Sequence, residues 1–231
     1  MAEPLTRVLL ATSNRGKLAD FRALFSTTGI ELVMAGDAGV ELEVEETGAS
    51  FEENALLKAR AYAAALKDAA SSPRAAPVGG GAVGETRTST AVMADDSGLV
   101  VAALGGEPGI YSARYAGPEC DNYANNLKVL DALEGASDRS AAFVCVLALV
   151  LPDGRELLAE GRSEGVIARE EVGDKGFGYD PIFFRPDLGR TFGEVSIETK
   201  NALSHRGTAA RAMVVKLSAL GLLPAAKDPA P

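Results

Sequence analysis

The 231-residue sequence has no tryptophan, one histidine (His205) and two cysteines, Cys120 and Cys145. A single histidine excludes a multi-histidine metal site, and two cysteines are too few for a disulfide framework or a zinc cluster. Positive charge is scarce as well: 23 Lys and Arg face 32 Asp and Glu, a formal net charge of −9 and the wrong sign for gripping a nucleic-acid backbone. Long hydrophobic runs are missing. The longest uncharged apolar stretch, residues 140–151, falls well short of the ~20 residues a membrane-spanning helix needs, so no membrane association is expected. Residues 1–7 carry acid before base and lead into a short apolar run, which is no signal-peptide core; a cytoplasmic protein is expected. Any chemistry must rest on carboxylates, lysines and arginines.

What is present is a composition 47% hydrophobic, enough for a sizeable core. Residues 8–11, 30–34, 91–94 and 143–151 are short, apolar and bounded by turn residues, which predicts strands; the last, apolar throughout, should be central. Ala55, Leu56, Ala59, Tyr62, Ala63 and Leu66 recur at helical spacing behind an S-x-x-E capping box, Ser50 to Glu53, and predict a helix over 50–66. Weaker helical patterns cover 17–25, 123–133 and roughly 204–220. Strands alternating with helices make an α/β protein. Residues 69–90, rich in Ala, Gly, Ser and Pro, lack the apolar surface to offset ordering entropy, which predicts a mobile insertion in a single domain spanning 1–223, with a frayed tail over 224–231.

Several polar constellations interrupt these elements. Thr12, Ser13, Asn14, Arg15, Gly16 and Lys17 form a glycine-containing turn between a strand and a helix, where backbone N–H groups and a lysine suit an anion. The turn is not a Walker motif, and Asn14 or Ser13 could equally be an ordinary helix cap. Glu45 and Glu46 precede the capped helix, which carries Asn54 and Lys58 four residues apart on one face. Asp95 and Asp96, followed by Ser97 and Gly98, read as a carboxylate pair at the C-terminal edge of a strand, either a hard-cation site or a plain Asp-Ser-Gly turn.

Further along, a glycine-rich stretch ends in Arg114, which could clamp a phosphate or form a structural ion pair. Phe177, Gly178, Tyr179 and Asp180 set two aromatics and a carboxylate among glycines, suited to stacking on a base or to a turn over buried rings. Lys200, His205 and Arg206 cluster around Ser204, a candidate N-cap, as an anion or base-edge site or as a structural helix start.

In order and spacing these segments together resemble the inosine triphosphatase family, pyrophosphatases acting on non-standard purine nucleoside triphosphates. The likeness runs from Leu9 to about Met213 through A-T-S-N-R-G-K, E-E-T-G-A-S-F-E-E-N-A-L-L-K-A, A-D-D-S-G-L, G-x-P-G-I-Y-S-A-R-Y-A-G, G-F-G-Y-D-P-I-F and K-N-A-L-S-H-R-G. It implies a long mixed central sheet flanked by helices, two lobes around a substrate cleft, and a homodimer. It also implies Mg²⁺-dependent cleavage of ITP, dITP or XTP to the monophosphate and pyrophosphate, with no nucleic-acid or membrane partner. By position, Thr12 to Lys17 match the triphosphate loop and Glu45 the metal-binding glutamate, with Glu46 beside it. Asp96 matches the metal ligand and proton acceptor, and Ser97 touches substrate. Phe177, Gly178, Tyr179, Asp180, Lys200, His205 and Arg206 match the pocket for base and phosphate. The 69–90 insertion touches no motif residue and is expected to be a spectator. A Maf-like pyrophosphatase for modified nucleotides and a non-catalytic nucleotide sensor are the rival readings.

Overall fold

The computed structural model describes residues 3–71 and 90–224. Seven strands form one sheet in the order β2-β1-β3-β4-β5-β6-β7. They are β1 (Arg7–Leu10), β2 (Glu31–Met34), β3 (Ala91–Val101), β4 (Ser140–Val150), β5 (Glu156–Ile167), β6 (Phe183–Arg185) and β7 (Arg190–Thr191). β1 runs parallel to both β2 and β3, whereas β5, β6 and β7 pair antiparallel, so the sheet is mixed. The helices are α1 (Arg15–Phe25), α2 (Phe51–Ser71), α3 (Asn122–Ala132), α4 (Ile197–Leu203) and α5 (His205–Ala219). Parallel neighbours need crossover connections, and α1 and α2 occupy the two that leave β1 and β2. Among the described residues no helix is long and apolar enough to cross a membrane.

The chain divides into two compact units. Of the described residues, the first comprises 3–71, 90–95, 146–159 and 210–224, and the second 96–145 and 160–209. In the first, Ala55, Ala59 and Leu66 of α2 pack in one cluster with Leu9, Val92, Ala94, Val146, Ala148 and Val150. The helical repeat on one side and the every-second-residue repeat of β4 on the other are the two periodicities that let a helix lie on a sheet. The α2 capping box forms with a shift of one residue: Ser50 Oγ accepts the Glu53 N–H at 3.1 Å, and Glu53 Oε2 accepts the Ala49 N–H at 2.7 Å. In the second unit, Phe143, Phe183 and Phe192 centre a cluster with Leu99, Val101, Val129, Leu133, Ile167 and Ile182. β4 is the middle strand of the seven, as its apolar sequence leads one to expect.

Three expectations change. Asp95, Asp96, Ser97 and Gly98 do not follow a strand but lie within β3, because Leu99, Val100 and Val101 prolong it. What does end here is β1, whose register with β3 closes at Leu10 opposite Met93. Residues 69–71 belong to the last turn of α2, and 72–89 and 225–231, where the insertion and the frayed tail are expected, lie outside the described residues.

The third change is β5, unanticipated because its buried positions are small: Ala159, Gly161 and Ser163 alternate with exposed Glu160, Arg162 and Glu164. A Cβ on Gly161 would stand 2.1 Å from the His205 carbonyl oxygen and 2.2 Å from the Ala209 nitrogen. The start of α5 thus lies closer to β5 than any side chain permits, and Gly161→Ala should destabilise the protein by about 3 kcal/mol through overpacking against backbone that cannot rotate away. Thermal unfolding followed by circular dichroism checks this; an unchanged midpoint would mean the helix start moves freely.

Candidate functional site

In the first unit, the turn after β1 is a helix cap. Asn14 Oδ1 accepts the N–H groups of Gly16 (2.9 Å) and Lys17 (3.1 Å), and the Asn14 N–H is held by Thr12 Oγ1 (3.1 Å). Two of the N–H groups that an anion would use are therefore already committed to the side chain of Asn14. The charge the turn offers comes from exposed Arg15 and from Lys17, whose Nζ lies 2.7 Å from Asp95 Oδ2. The Asp95 side chain is 1% exposed, and a carboxylate buried to that degree requires a partner. Asp95 thus orients Lys17, a role that motif matching does not assign to it; its only sequence signal is adjacency to Asp96.

α2 grips the acidic loop before it through the two residues that share a helix face. Asn54 Oδ1 accepts the Gly48 N–H at 2.8 Å, and Lys58 Nζ pairs with Glu46 Oε1 at 2.7 Å. A Cβ on Gly48 would fall 2.6 Å from Asn54 Oδ1, so glycine is what allows the loop to lie this close. Glu46 is thereby tied to Lys58, while Glu45 is left exposed.

In the second unit the sequence-predicted residues join into a chain of contacts. Asp96, 6% exposed, accepts the Ser97 N–H on Oδ1 at 3.0 Å. Ser97 Oγ accepts a hydrogen bond from Arg206 Nη2 at 3.2 Å, and the Arg206 guanidinium lies 4.8 Å from the Phe177 ring centre. Lys200 Nζ is 4.6 Å from the same ring and 2.5 Å from Asp180 Oδ2. Asp180 Oδ2 also accepts the Phe177 N–H at 2.8 Å, closing the turn, and a Cβ on Gly176 would stand 2.1 Å from that oxygen. The buried Lys200–Asp180 pair thus fixes the backbone of the aromatic it flanks. Gly178 takes a left-handed φ of 64° next to Phe177, a conformation that favours glycine.

Two predicted residues are packed in the core. Tyr179 is buried in the core, where its hydroxyl donates to the Ser112 carbonyl at 2.7 Å. Burial, with Tyr115 nearby, pushes its phenol far above the ordinary range, so it remains a donor. His205 is 2% exposed and stacks on Phe143 at 4.7 Å between ring centres, which places its ring in the core packing. Ser204 is the predicted cap of α5, accepting the Gly207 N–H at 3.1 Å.

Among the described residues there is no cluster of three or more His, Cys, Asp or Glu able to enclose a metal. The donors that motif matching nominates, Glu45 and Asp96, are two oxygen-bearing carboxylates. Each by its chemistry is an oxygen donor of the kind a hard cation of the Mg²⁺ type takes, such a cation commonly using one or two carboxylates and completing its shell with phosphate oxygens and water.

Known proteins are similar to this chain in sequence and in fold. A dITP/XTP pyrophosphatase of Burkholderia pseudomallei is 45% identical over 217 residues, covering 92% of this chain and 93% of the relative. A dITP/XTP pyrophosphatase of Desulforamulus reducens is 43% identical over 205 residues, covering 88% and 91%. The solved structure of the Staphylococcus aureus Ham1 protein matches with a TM-score of 0.76 at 39% identity, covering 93% of this chain and 99% of that one. The Ham1 family profile matches residues 8–216, a span that begins in β1, ends within α5 and takes in each segment just described. The chain belongs to the Ham1 family.

Proposed function

We propose that this protein is a nucleoside triphosphate pyrophosphatase that hydrolyses ITP, dITP and XTP to the monophosphate and pyrophosphate, clearing deaminated purines from the nucleotide pool. The observation that carries the proposal is the linked set Ser97–Arg206–Phe177–Lys200–Asp180, an aromatic flanked by two cations and held by a buried ion pair. Such a ring suits a purine base, and the cations suit a phosphate. The activity borne by the dITP/XTP pyrophosphatases of B. pseudomallei and D. reducens agrees with it.

Roles divide by unit within one catalytic domain, residues 1–223. Thr12 to Lys17 take the triphosphate, with Asp95 aiming Lys17. Glu45 and Asp96 would hold Mg²⁺, which when bound offsets charge on the pyrophosphate leaving group and lowers the pKa of water. Asp96 accepts the proton of the attacking water, held in place by the Ser97 N–H. Phe177 stacks on the base, and donors at the start of α5 meet O6. Adenine carries an amino group there and would leave a donor unpaired, a penalty of about 1–3 kcal/mol. A cytoplasmic location and a homodimer belong to the same proposal; sedimentation equilibrium tests the latter.

Pyrophosphate release from ITP, XTP, GTP, ATP, dTTP and UTP, with and without Mg²⁺, is the deciding experiment. ITP and XTP should exceed ATP by roughly tenfold to a hundredfold in kcat/KM, from one unpaired donor at 1.4 kcal/mol per factor of ten. Faster release from dTTP or UTP would mark a Maf-like specificity, and tight ITP binding without pyrophosphate would mark a sensor.

A further inference from the structure

Two consecutive helical residues that belong to no motif hold the loops that do. Asn125 and Asn126 of α3 are each 2% exposed. Asn125 brackets Arg114, donating from Nδ2 to the Ala113 carbonyl at 3.0 Å and accepting the Ala116 N–H on Oδ1 at 2.6 Å. Asn126 donates from Nδ2 to the Gly178 carbonyl at 3.2 Å and to Glu171 Oε1 at 2.6 Å. Both partners of Asn126 are acceptors, so its amide orientation is fixed: the opposite flip would set an oxygen against two oxygens.

The turn bearing Phe177 therefore has two tethers on either side of that residue. One is internal, the Asp180 carboxylate on the Phe177 N–H; the other is Asn126 on the Gly178 carbonyl, with Glu171 steering the amide. We propose that Asn126, aimed by Glu171, is a positioning residue for base recognition: it fixes the peptide that follows Phe177 and so the angle at which the ring meets the purine. The inference rests on the reading that Phe177 stacks on the base. Asn126 touches neither the reacting phosphates nor Asp96 in this scheme, so its loss acts on substrate binding and base discrimination and spares the chemical step.

The test compares Asn126→Ala, Asn126→Asp and the double variant Asn126→Asp/Glu171→Gln with the wild type and Phe177→Ala. Each is measured for KM and kcat with ITP and ATP in Mg²⁺, and for thermal midpoint. Asn126→Ala and Asn126→Asp should raise KM for ITP about tenfold, the loss of one buried hydrogen bond, with kcat within about twofold and a smaller ITP-to-ATP preference. In the double variant the Gln amide can donate to the new carboxylate, which repairs the link to residue 171. The Gly178 carbonyl still faces an acceptor. Its thermal midpoint should therefore recover while KM stays raised.

Recovery of KM together with the midpoint would reduce Asn126 to a structural residue and overturn the proposal, as would an unchanged KM in Asn126→Ala. If Asn126→Ala does not fold, the near-isosteric Asn126→Asp pair of variants decides. Phe177→Ala separates the two levels: raised KM there with unaltered Asn126 variants sinks this inference alone, whereas unaltered KM in Phe177→Ala sinks the stacking reading and this inference with it.

Discussion

Asp96→Asn should bind ITP with near wild-type affinity yet release pyrophosphate about a thousandfold more slowly, the middle of the range for losing a general base. The substitution suits the question because the structure tolerates it. Asp96 Oδ1 accepts the Ser97 N–H, and an asparagine oxygen can do the same. Asp96 is 6% exposed and lies midway along β3, and an asparagine of nearly the same shape leaves that packing in place, so the thermal midpoint should change little. In the proposed role, what disappears is the proton acceptor and one anionic oxygen donor, and raising Mg²⁺ restores neither. Calorimetric ITP binding beside a pyrophosphate assay measures both halves; turnover within tenfold of wild type would remove Asp96 from the proposed role.

Lys200→Met should lower stability by about 3–5 kcal/mol, the range for stranding one partner of a buried ion pair. Asp180 is 2% exposed and Lys200 3%, and no solvent reaches the carboxylate to replace the ammonium. At this chain length the loss corresponds to a drop in melting temperature of roughly 10 °C. The companion Asp180→Asn/Lys200→Met should recover most of that stability, since an asparagine oxygen can still accept the Phe177 N–H and no charge is left alone. Its affinity for ITP should nevertheless remain reduced, because the cation 4.6 Å from the Phe177 ring is gone. A single variant as stable as the wild type would mean that Asp180 finds another counter-charge. A double variant that binds ITP normally would take Lys200 out of the substrate site.

The parts of the fold legible in the sequence are those where burial and periodicity agree. α2 shows its buried stripe at Ala55, Ala59 and Leu66, and β4 is apolar and buried from Ala141 to Val150 because it is central. β5 escaped because its inward side chains are nearly absent, and Gly161 and Ser163 look like loop residues until α5 is seen lying against them. α4 is only seven residues long, too short to show a period.

The site divides in the same way. Motif spacing nominates Lys17, Asp96, Phe177, Asp180, Lys200 and Arg206, since each carries charge or a ring in a telling context. It did not separate the buried Tyr179 and the core-stacked His205 from Phe177 and Arg206, because adjacency in a motif does not say which way a side chain points. It gives no holding role to Asp95 or Asn54, which lie inside the motifs, and passes over Asn125 and Asn126. Their contribution is to hold a neighbour, and that depends on backbone brought close by tertiary packing.

Asp95 and Asp96 are neighbours in a strand, where successive side chains leave opposite faces of the sheet. One steadies a lysine; the other is assigned the proton. A replacement such as Val92→Ile alters volume alone, but gaining or losing a single residue between Ala91 and Ala94 would slide the pair by one step and turn each carboxylate to the side meant for the other. Over that short run the number of residues is under stricter control than their identity, and drift in the gene can there be expected to proceed by substitution and not by insertion or deletion.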